Sequence, residues 1–447
     1  MKIATLSELE KYLTRYLPTS VAQKFPGRFG LDRAKYLMRE LGDPQNKLRI
    51  VHIAGTAGKT STAYLISALL KEHGFKVGLH ASPYIVSLSE RFQVNNAYLD
   101  SEIVISTFNE LIPILDKMKT SPYGNPSYFE ITIALAYMLF VKLRVDYGVI
   151  ETGVGGMLDA TNTVNSADKC AVITQIGMDH MDVLGSTIEK IATQKAAIIM
   201  KNNLAISTPQ EKEVFKIIYD RVAEVSATLI YLPEVSKISH IQTSFEGTKF
   251  TYVNNNVHFR DLKLGLVGEY QAYNAHCALE VVRQLGNRDG FEIDEAKVRG
   301  AFASVVIPGR FEFKRRDDKV VILDGAHNEM KMKAFLKTLA SLAPAAKHTF
   351  VVAFKNSKDI GSMLDVIIPQ AKKIIITSFS TSDQDMLHTS YPEGEIALYL
   401  EKKGFTDYEI SADPHIAFAD YAYRVDSLVV TGSLYLIGAL FSDFTAL

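Results

Sequence analysis

From about residue 48 the chain alternates short apolar runs with stretches of helical periodicity. Residues 48–53 read as a buried strand. Residues 61–73 read as a helix, with Leu65, Leu69 and Leu70 on one face and Gly74 as its stop. Residues 77–80 predict a second strand, 126–143 a long helix, and 145–151 a strand rich in β-branched residues. A strand at 171–176 and a helix at 187–200 continue the alternation. Strands separated by helices argue for a doubly wound α/β sheet. The stretch 229–264 breaks this rhythm. Its short strands, with a turn at Asn254-Asn255-Asn256, predict an antiparallel hairpin appended to the main sheet.

A helix over 269–285 follows, and near Pro308-Gly309 the alternation restarts. It predicts a strand at 320–323, a helix at 329–342, strands at 349–354 and 374–378, and a last strand at 427–431. The expected organisation is an N-terminal domain, 1–307, and a smaller C-terminal domain, 308–447. A chain of 447 residues is too long for one ordinary core, which agrees with two domains.

Composition narrows the function classes. The formal net charge of −1 gives no global attraction to nucleic acid or to an anionic membrane, so an anionic substrate must be held by local groups. Cys170 and Cys277 lie in apolar stretches, without CxxC spacing, and read as buried thiols rather than a disulfide or zinc ligands. No run approaches the roughly 20 apolar residues of a membrane span, and residues 1–17 lack a signal-peptide core. A cytoplasmic, monomeric protein is expected, with no nucleic-acid or membrane partner.

The sharpest local signal is Gly55-Thr56-Ala57-Gly58-Lys59-Thr60-Ser61, which follows a predicted strand and opens a predicted helix. Glycines allow a tight turn that aims backbone N–H groups at phosphate oxygens, and the helix N-terminus adds its positive dipole end. Lys59 supplies a point charge for the outer phosphates, and the Thr60 and Ser61 hydroxyls can bond phosphate or magnesium. The usual pattern has another glycine five positions before Gly58, where this chain has Ile53, so the loop is a shortened variant.

Further segments occur in order along 28–438. They are Ser82-Pro83, Ser89-Glu90-Arg91, the run from Glu151 through Gly153, Gly155, Gly156, Leu158, Asp159 and Ala160 to Asn162, and Asp179-His180. Lys195-Ala196, Pro308-Gly309-Arg310, Asp324-Gly325-Ala326-His327-Asn328 and Thr431-Gly432-Ser433-Leu434-Tyr435 follow. Together with the phosphate loop, this ordered set resembles the folylpolyglutamate synthase and dihydrofolate synthase family, which belongs with the Mur ligases. The resemblance implies a P-loop ATPase-like N-terminal domain with the small antiparallel appendage and a smaller Rossmann-like C-terminal domain, the active site lying in the cleft between them. It also implies a reaction: ATP phosphorylates a folate or pteroate carboxylate, and the amine of L-glutamate attacks the acyl phosphate.

The same resemblance implies roles. Gly55, Thr56, Gly58, Lys59, Thr60 and Ser61 would hold ATP, as would Asn274, Arg310, Asp324 and His327 from the C-terminal side. Ser82 and Glu151 would bind one magnesium and His180 a second. Lys195 would be carbamylated, which turns a cation into a carboxylate-like group. Lys59, His180 and Lys195 form the catalytic set. Arg28, Phe29, Gly30, Leu158, Asp159 and Ala160 would contact the pterin-bearing substrate. Read alone, Glu151 could be a solvated loop carboxylate, His180 a hydrogen-bonded loop histidine, Ser82 ordinary turn chemistry, Lys195 a solvent-facing charge and Phe29 a core aromatic.

Five positions depart from the family pattern: Ala57 where Asn is usual, Thr60 for Gly, Tyr84 for His, Met157 for Arg and Tyr270 for His. Thr60 restores a hydroxyl after the lysine, as in ordinary P-loops. Met157 and Tyr84 leave the exact substrate open. Two competing readings stand beside the folate ligase. One is a Mur-type ligase acting on a UDP-linked cell-wall precursor, disfavoured because about 47 residues precede the first core strand. The other is a catalytically idle folate- or nucleotide-binding relative.

Overall fold

The computed structural model describes residues 2–254, 257–344, 346–381 and 388–447. The chain divides into two compact units. The first comprises 1–240, 250–264 and 272–305; the second comprises 241–249, 265–271 and 306–447. The expected single cut near 308 therefore omits two short excursions, 241–249 and 265–271, that pack with the C-terminal residues.

The first unit is built on β1 (Arg49–Ala54), β2 (Val77–His80), β3 (Gln93–Val94), β4 (Ala97–Tyr98), β5 (Tyr147–Glu151), β6 (Cys170–Ile173), β7 (Leu204–Ser207) and β8 (Thr228–Tyr231). Their order across the sheet is β4-β3-β2-β5-β1-β6-β7-β8. The pairings from β2 to β8 are parallel, whereas β3 and β4 add an antiparallel edge. β5 is buried at every position and β1 at all but its first, as expected for central parallel strands covered on both faces. β1 lies where the chain turns from building one half of the sheet to building the other. Ligands bind at the carboxyl ends of strands beside such a switch point.

The helix after β1, Lys59–Glu72, is buried from Ser61 through Leu70, and its Ser, Thr and Ala residues let it lie close to the sheet. The helix Tyr128–Lys142 begins with a capping box, in which Ser127 and Glu130 each bond the other's backbone. Such caps contribute about 1 kcal/mol. Cys170 and Cys277 are free and buried, and burial pushes the Cys170 thiol up to about 12.

The expected hairpin is a three-stranded sheet of β9 (Ser236–Ser244), β10 (Gly247–Asn254) and β11 (His258–Leu264), in chain order. The turn expected at 254–256 lies outside the described residues beyond Asn254. The second unit carries β12 (Glu312–Arg316), β13 (Lys319–Leu323), β14 (His348–Val352), β15 (Ala371–Ile376), a two-stranded ladder of β16 (Ser380–Thr381) with β17 (His388–Thr389), β18 (Tyr408–Ile410) and β19 (Ser427–Thr431). Its main sheet runs β12-β13-β19-β14-β15-β18, parallel except for the β12 edge. Among the described residues, no helix is long and apolar enough to cross a membrane.

Candidate active site

β1 ends at Ala54 and the chain turns into its helix through the phosphate-type loop. Gly55 cannot be replaced by a larger residue, because a Cβ there would lie 1.9 Å from Thr174 Oγ1. Gly58 sits at the helix N-cap with φ +83, a conformation that favours glycine, and no side chain caps the helix there. The first amides of a helix have no intrahelical acceptor, so this uncapped start offers donors suited to an anion. Thr56 and Ala57 do not contribute their amides to it. Both donate to Gln175 O, at 2.9 and 3.2 Å, and the Thr56 hydroxyl is engaged with both the N–H and the carbonyl of Gly177. Thr56 thus shapes the loop, and the amides without a side-chain cap belong to the turn that starts at Gly58.

The neighbouring strand brings the acid. Ile53 pairs with Glu151 in the parallel register of β1 and β5, so the carboxylate emerges beside the loop. Glu151 is 2% exposed, which excludes a solvated loop carboxylate. Its Oε1 accepts a 3.0 Å hydrogen bond from the Thr60 hydroxyl and lies 4.0 Å from Lys59 Nζ. Its Oε2 accepts from the backbone N–H of Ser82 at 3.3 Å. Lys59 also donates to Gly55 O at 3.2 Å. Lys59, Thr60, Ser82 and Glu151 therefore converge within one unit.

Lys195 joins them from the helix Ile188–Ala196, whose N-terminus is capped by Thr187. It is 3% exposed, not solvent-facing, and its Nζ donates to Gly55 O at 2.8 Å. The glycines after Glu151 make this approach possible. Met157 N donates to Gln194 O at 2.7 Å, and a Cβ on Gly156 would lie 2.8 Å from the same oxygen.

His180 stands at the N-cap of a short helix, Met181–Leu184, with φ +50. Its backbone N–H donates to Asp179 Oδ1, and its Nε2 is 3.9 Å from Asp179 Oδ2. Among the described residues, no three His, Cys, Asp or Glu side chains form a ready metal cage. The donors around Glu151 are nonetheless hard oxygens, from one carboxylate and the Thr60 hydroxyl. That chemistry fits magnesium, which is commonly held by one or two protein carboxylates completed by water and phosphate.

The acceptor-side candidates separate into two kinds. Arg28 opens the helix Arg28–Glu40 with its side chain 73% exposed, paired to Asp32 at 3.0 Å. Phe29 is 47% exposed and so is not a core aromatic; its ring faces Tyr123 at 5.7 Å. Gly30 is buried, with no room for a Cβ beside Pro26. Arg33 and Glu130, which sequence reasoning passed over, form a two-pronged ion pair at 2.7 and 2.8 Å. The Ser127-x-x-Glu130 capping pattern was the available signal. In contrast, Asp159 is buried, and its carboxylate accepts from Val154 N at 2.8 Å, Thr161 N at 2.9 Å and Thr161 Oγ1 at 2.6 Å. Burial raises its pKa, partly offset by these donors. Asp159 is a loop brace, flanked by half-buried Leu158 and buried Ala160.

In the second unit, Asp324 follows β13 and is 4% exposed. Its two oxygens accept from Phe311 N and Ala326 N, both at 2.9 Å. Burial pushes its pKa up to about 6, against the pull of Arg310 and these amides. Half-buried Arg310 donates to Gly309 O at 3.1 Å, and Gly309 N donates to Glu312 at 3.0 Å. His327 Nδ1 bonds Gly325 O at 2.7 Å and its Nε2 meets Lys331 Nζ at 2.8 Å. A lysine ammonium can only donate, so His327 is neutral with its proton on Nδ1. Asn274 was expected on this side. Instead it lies in the first unit, its Oδ1 2.4 Å from where a Cβ on Gly58 would be, directly on the phosphate-type loop.

Residues 53–282 match the Mur ligase middle domain, and residues 310–443 match the dihydrofolate synthetase C-terminal domain. The chain is 30% identical to a dihydrofolate synthase/folylpolyglutamate synthase of Bacillus subtilis, over 93% of this chain and 94% of that protein. It belongs to the folylpolyglutamate synthase and dihydrofolate synthase family of ATP-dependent ligases. A dihydrofolate synthetase of Saccharomyces cerevisiae is also 30% identical, covering 92% of this chain and 96% of that protein. In three dimensions the chain is similar to the Mycobacterium tuberculosis folylpolyglutamate synthase complexed with ADP and AMPPCP, with TM-score 0.86, 28% identity and 98% of both chains covered. It is also similar to the Thermotoga maritima folylpolyglutamate synthase, with TM-score 0.81, 27% identity, and 98% of this chain and 96% of that one covered.

Membership in the family gives the departures a physical setting. Thr60 holds Glu151, a bond that glycine could not make. Tyr84 is buried, and its ring lies 5.4 Å from the guanidinium of buried Arg91, which faces Tyr128 at 5.6 Å on its other contact. An aromatic replaces a titratable ring there and fits the arginine by cation–π attraction. Met157 is half-buried, held through its backbone by Gln194 and Asn162. Tyr270, in the second unit, has its pKa raised well above the ordinary value by burial, then by the charge of Asp324, with Arg310 opposing. Half-buried Ala57 puts no polar side chain on the loop.

Proposed function

We propose that this chain joins L-glutamate to tetrahydrofolate or its short polyglutamates, using ATP, in the cytoplasm and as a monomer. The observation that carries the catalytic part is the meeting of Lys59, Thr60, Ser82 and Glu151 at an uncapped helix start. The γ-phosphate of ATP passes to the substrate carboxylate, giving an acyl phosphate and ADP. The amine of glutamate then attacks the acyl carbon, and phosphate leaves as the amide forms. Phosphoryl transfer leaves protein groups little covalent work, so fixed cations and donors matter most. Lys59 and the amides from Gly58 to Ser61 hold the outer phosphates and neutralise charge as the bond to the γ-phosphate breaks. Magnesium, when bound, would supply further neutralisation at those oxygens, held by Glu151 and Ser82, with His180 serving a second ion.

Lys195 is assigned a carbamate on Nζ, formed with CO₂. The assignment draws on its burial beside the loop, where an extra cation next to Lys59 is less useful than a carboxylate-like group. Nucleotide contacts are assigned to Asn274, Arg310, Asp324 and His327. Contacts to the pterin-bearing acceptor are assigned to Arg28, Phe29, Gly30, Leu158, Asp159 and Ala160. A second acceptor, dihydropteroate, is favoured by the match of 310–443 to the dihydrofolate synthetase C-terminal domain.

The test is ADP release dependent on glutamate, with tetrahydrofolate, dihydropteroate and a UDP-linked acid offered in turn. Turnover is expected with the first, and with the second if the enzyme is bifunctional. Turnover with the UDP-linked acid alone would favour a Mur-type ligase, and none with any acceptor would favour an idle relative.

A further inference from the structure

We propose that His52 is a positioning residue that ties the acceptor loop to the strand bearing the phosphate loop. His52 lies on β1, three residues before Gly55, and is completely buried. Its Nε2 is 2.8 Å from Thr161 Oγ1. That hydroxyl also contacts Asp159 Oδ1 at 2.6 Å. A hydroxyl has one proton, and here the carboxylate takes it, so toward His52 the oxygen can only accept. The histidine must therefore carry its proton on Nε2. Its Nδ1 is buried and has no hydrogen-bond partner. Burial holds the ring well below its ordinary pKa, which keeps it neutral.

From Asp159 the connection continues into backbone. The carboxylate accepts from Val154 N and Thr161 N, and also from Gly153. Gly153 has no room for a side chain, since a Cβ there would meet Phe129 Cζ at 2.6 Å and Asp159 Oδ2 at 3.1 Å. The Tyr137 hydroxyl reaches Thr161 O at 3.5 Å from the helix below. The chain His52–Thr161–Asp159–Val154 thus links the strand that delivers Lys59 to the loop that follows Glu151 and carries Leu158 and Ala160. An apolar ring of similar size would fill the same space but give Thr161 no donor. The residue type is explained by the donor at Nε2, not by bulk.

The inference rests on the proposed acceptor role of 158–160, and three variants separate it from plain core packing. A glutamine amide at position 52 reaches where Nε2 stands, an asparagine amide only as far as Nδ1, and leucine offers no donor. In His52→Leu and His52→Asn, KM for tetrahydrofolate is expected to rise about tenfold while KM for ATP stays within about twofold, and His52→Gln should restore most of the loss. Equal changes in both KM values, or a lowered Tm with both KM values unchanged, would overturn the role.

A readout independent of turnover keeps this distinct from the proposed function. In histidine-labelled wild-type protein, ¹⁵N NMR should show His52 as the Nε2–H tautomer from pH 5 to 8, and an Nδ1–H tautomer would end the relay. If wild type turns over no folate, the proposed function fails first. Amide exchange at Gly153, Val154 and Thr161 then decides the tether alone: it holds if His52→Leu speeds exchange and His52→Gln does not, and fails if the two variants match.

Discussion

The loop after β1 and the loops around β13 both gather charged residues, yet their carboxylates are held differently. Around Gly55 the carboxylate of Glu151 takes a side-chain donor, the Thr60 hydroxyl, beside the Ser82 amide, while Lys59 and Lys195 share the carbonyl of Gly55. Around Asp324 the backbone holds the side chains, with two amides on the carboxylate and carbonyls on Arg310 and His327. The first arrangement leaves the helix start without a side-chain cap. The second uses its carboxylate internally. Substitutions in the first region should therefore strike turnover above all, and those in the second should also strike stability and its pH dependence.

The largest expected effect is at Lys59. Lys59→Ala should lower kcat about a thousandfold, the scale of losing one fixed charge stabiliser in phosphoryl or acyl transfer. Its Tm should shift by only about 2–4 °C, because buried Glu151 loses that cation but keeps its bonds from the Thr60 hydroxyl and the Ser82 amide. ADP release and thermal unfolding on the same preparation check both halves. A large fall in Tm would erase the contrast between the regions. Lys195→Ala comes next, with kcat down about a hundredfold or more and partly restored by added short-chain carboxylic acids. Rescue by an amine instead would show that the cation, not a carbamate, does the work.

Asp324 tests the other side. A carboxyl held at about 6 in the folded chain, against an ordinary 3.8, binds its proton more tightly when folded. Its contribution to stability is therefore fully present below about pH 4 and is lost as pH rises through 6. The loss amounts to about 3 kcal/mol for about two pKa units. Asp324→Asn should flatten that slope, and should cost about 1 kcal/mol at low pH because its amide nitrogen cannot accept from one of the two backbone donors. Thermal unfolding at pH 4.5 and 7.5, wild type against variant, measures both effects. An unchanged slope would mean that Asp324 does not titrate as its burial requires.

The same contrast explains what the sequence disclosed. The central strands and the helices after them were legible because buried parallel strands read as apolar runs, and Gly55 to Ser61 because a strand–glycine–helix context is specific. The helix Ser101–Met118 went unread: its β-branched run Ile103-Val104-Ile105 resembles a strand, and Pro113 resembles a breaker. The burial of Lys195 was hidden because a lysine in a polar helix turn gives no sign that its stem crosses to Gly55. Asn274 was grouped with the C-terminal residues because it is distant from Gly58 in sequence, and only the packing of its helix brings the two together. The bonds from loop amides to Asp159 were equally invisible, since the sequence does not show which donors a carboxylate meets.

The smallest expected effect is at Arg28, and it sharpens the comparison from outside both loops. Its side chain is 73% exposed, and its only ion pair among the described contacts is with Asp32 one helical turn on. Such a pair contributes about 0.3–0.5 kcal/mol at most. Arg28→Ala should therefore leave Tm unchanged within error. If Arg28 meets the acceptor, as proposed, KM for tetrahydrofolate should still rise several-fold, with kcat and KM for ATP unaltered. That split arises only where a side chain contributes little to folding, as one exposed ion pair does, and meets a ligand. An unchanged KM would place the acceptor elsewhere, and Phe29, the exposed ring beside it, would be the next residue to substitute.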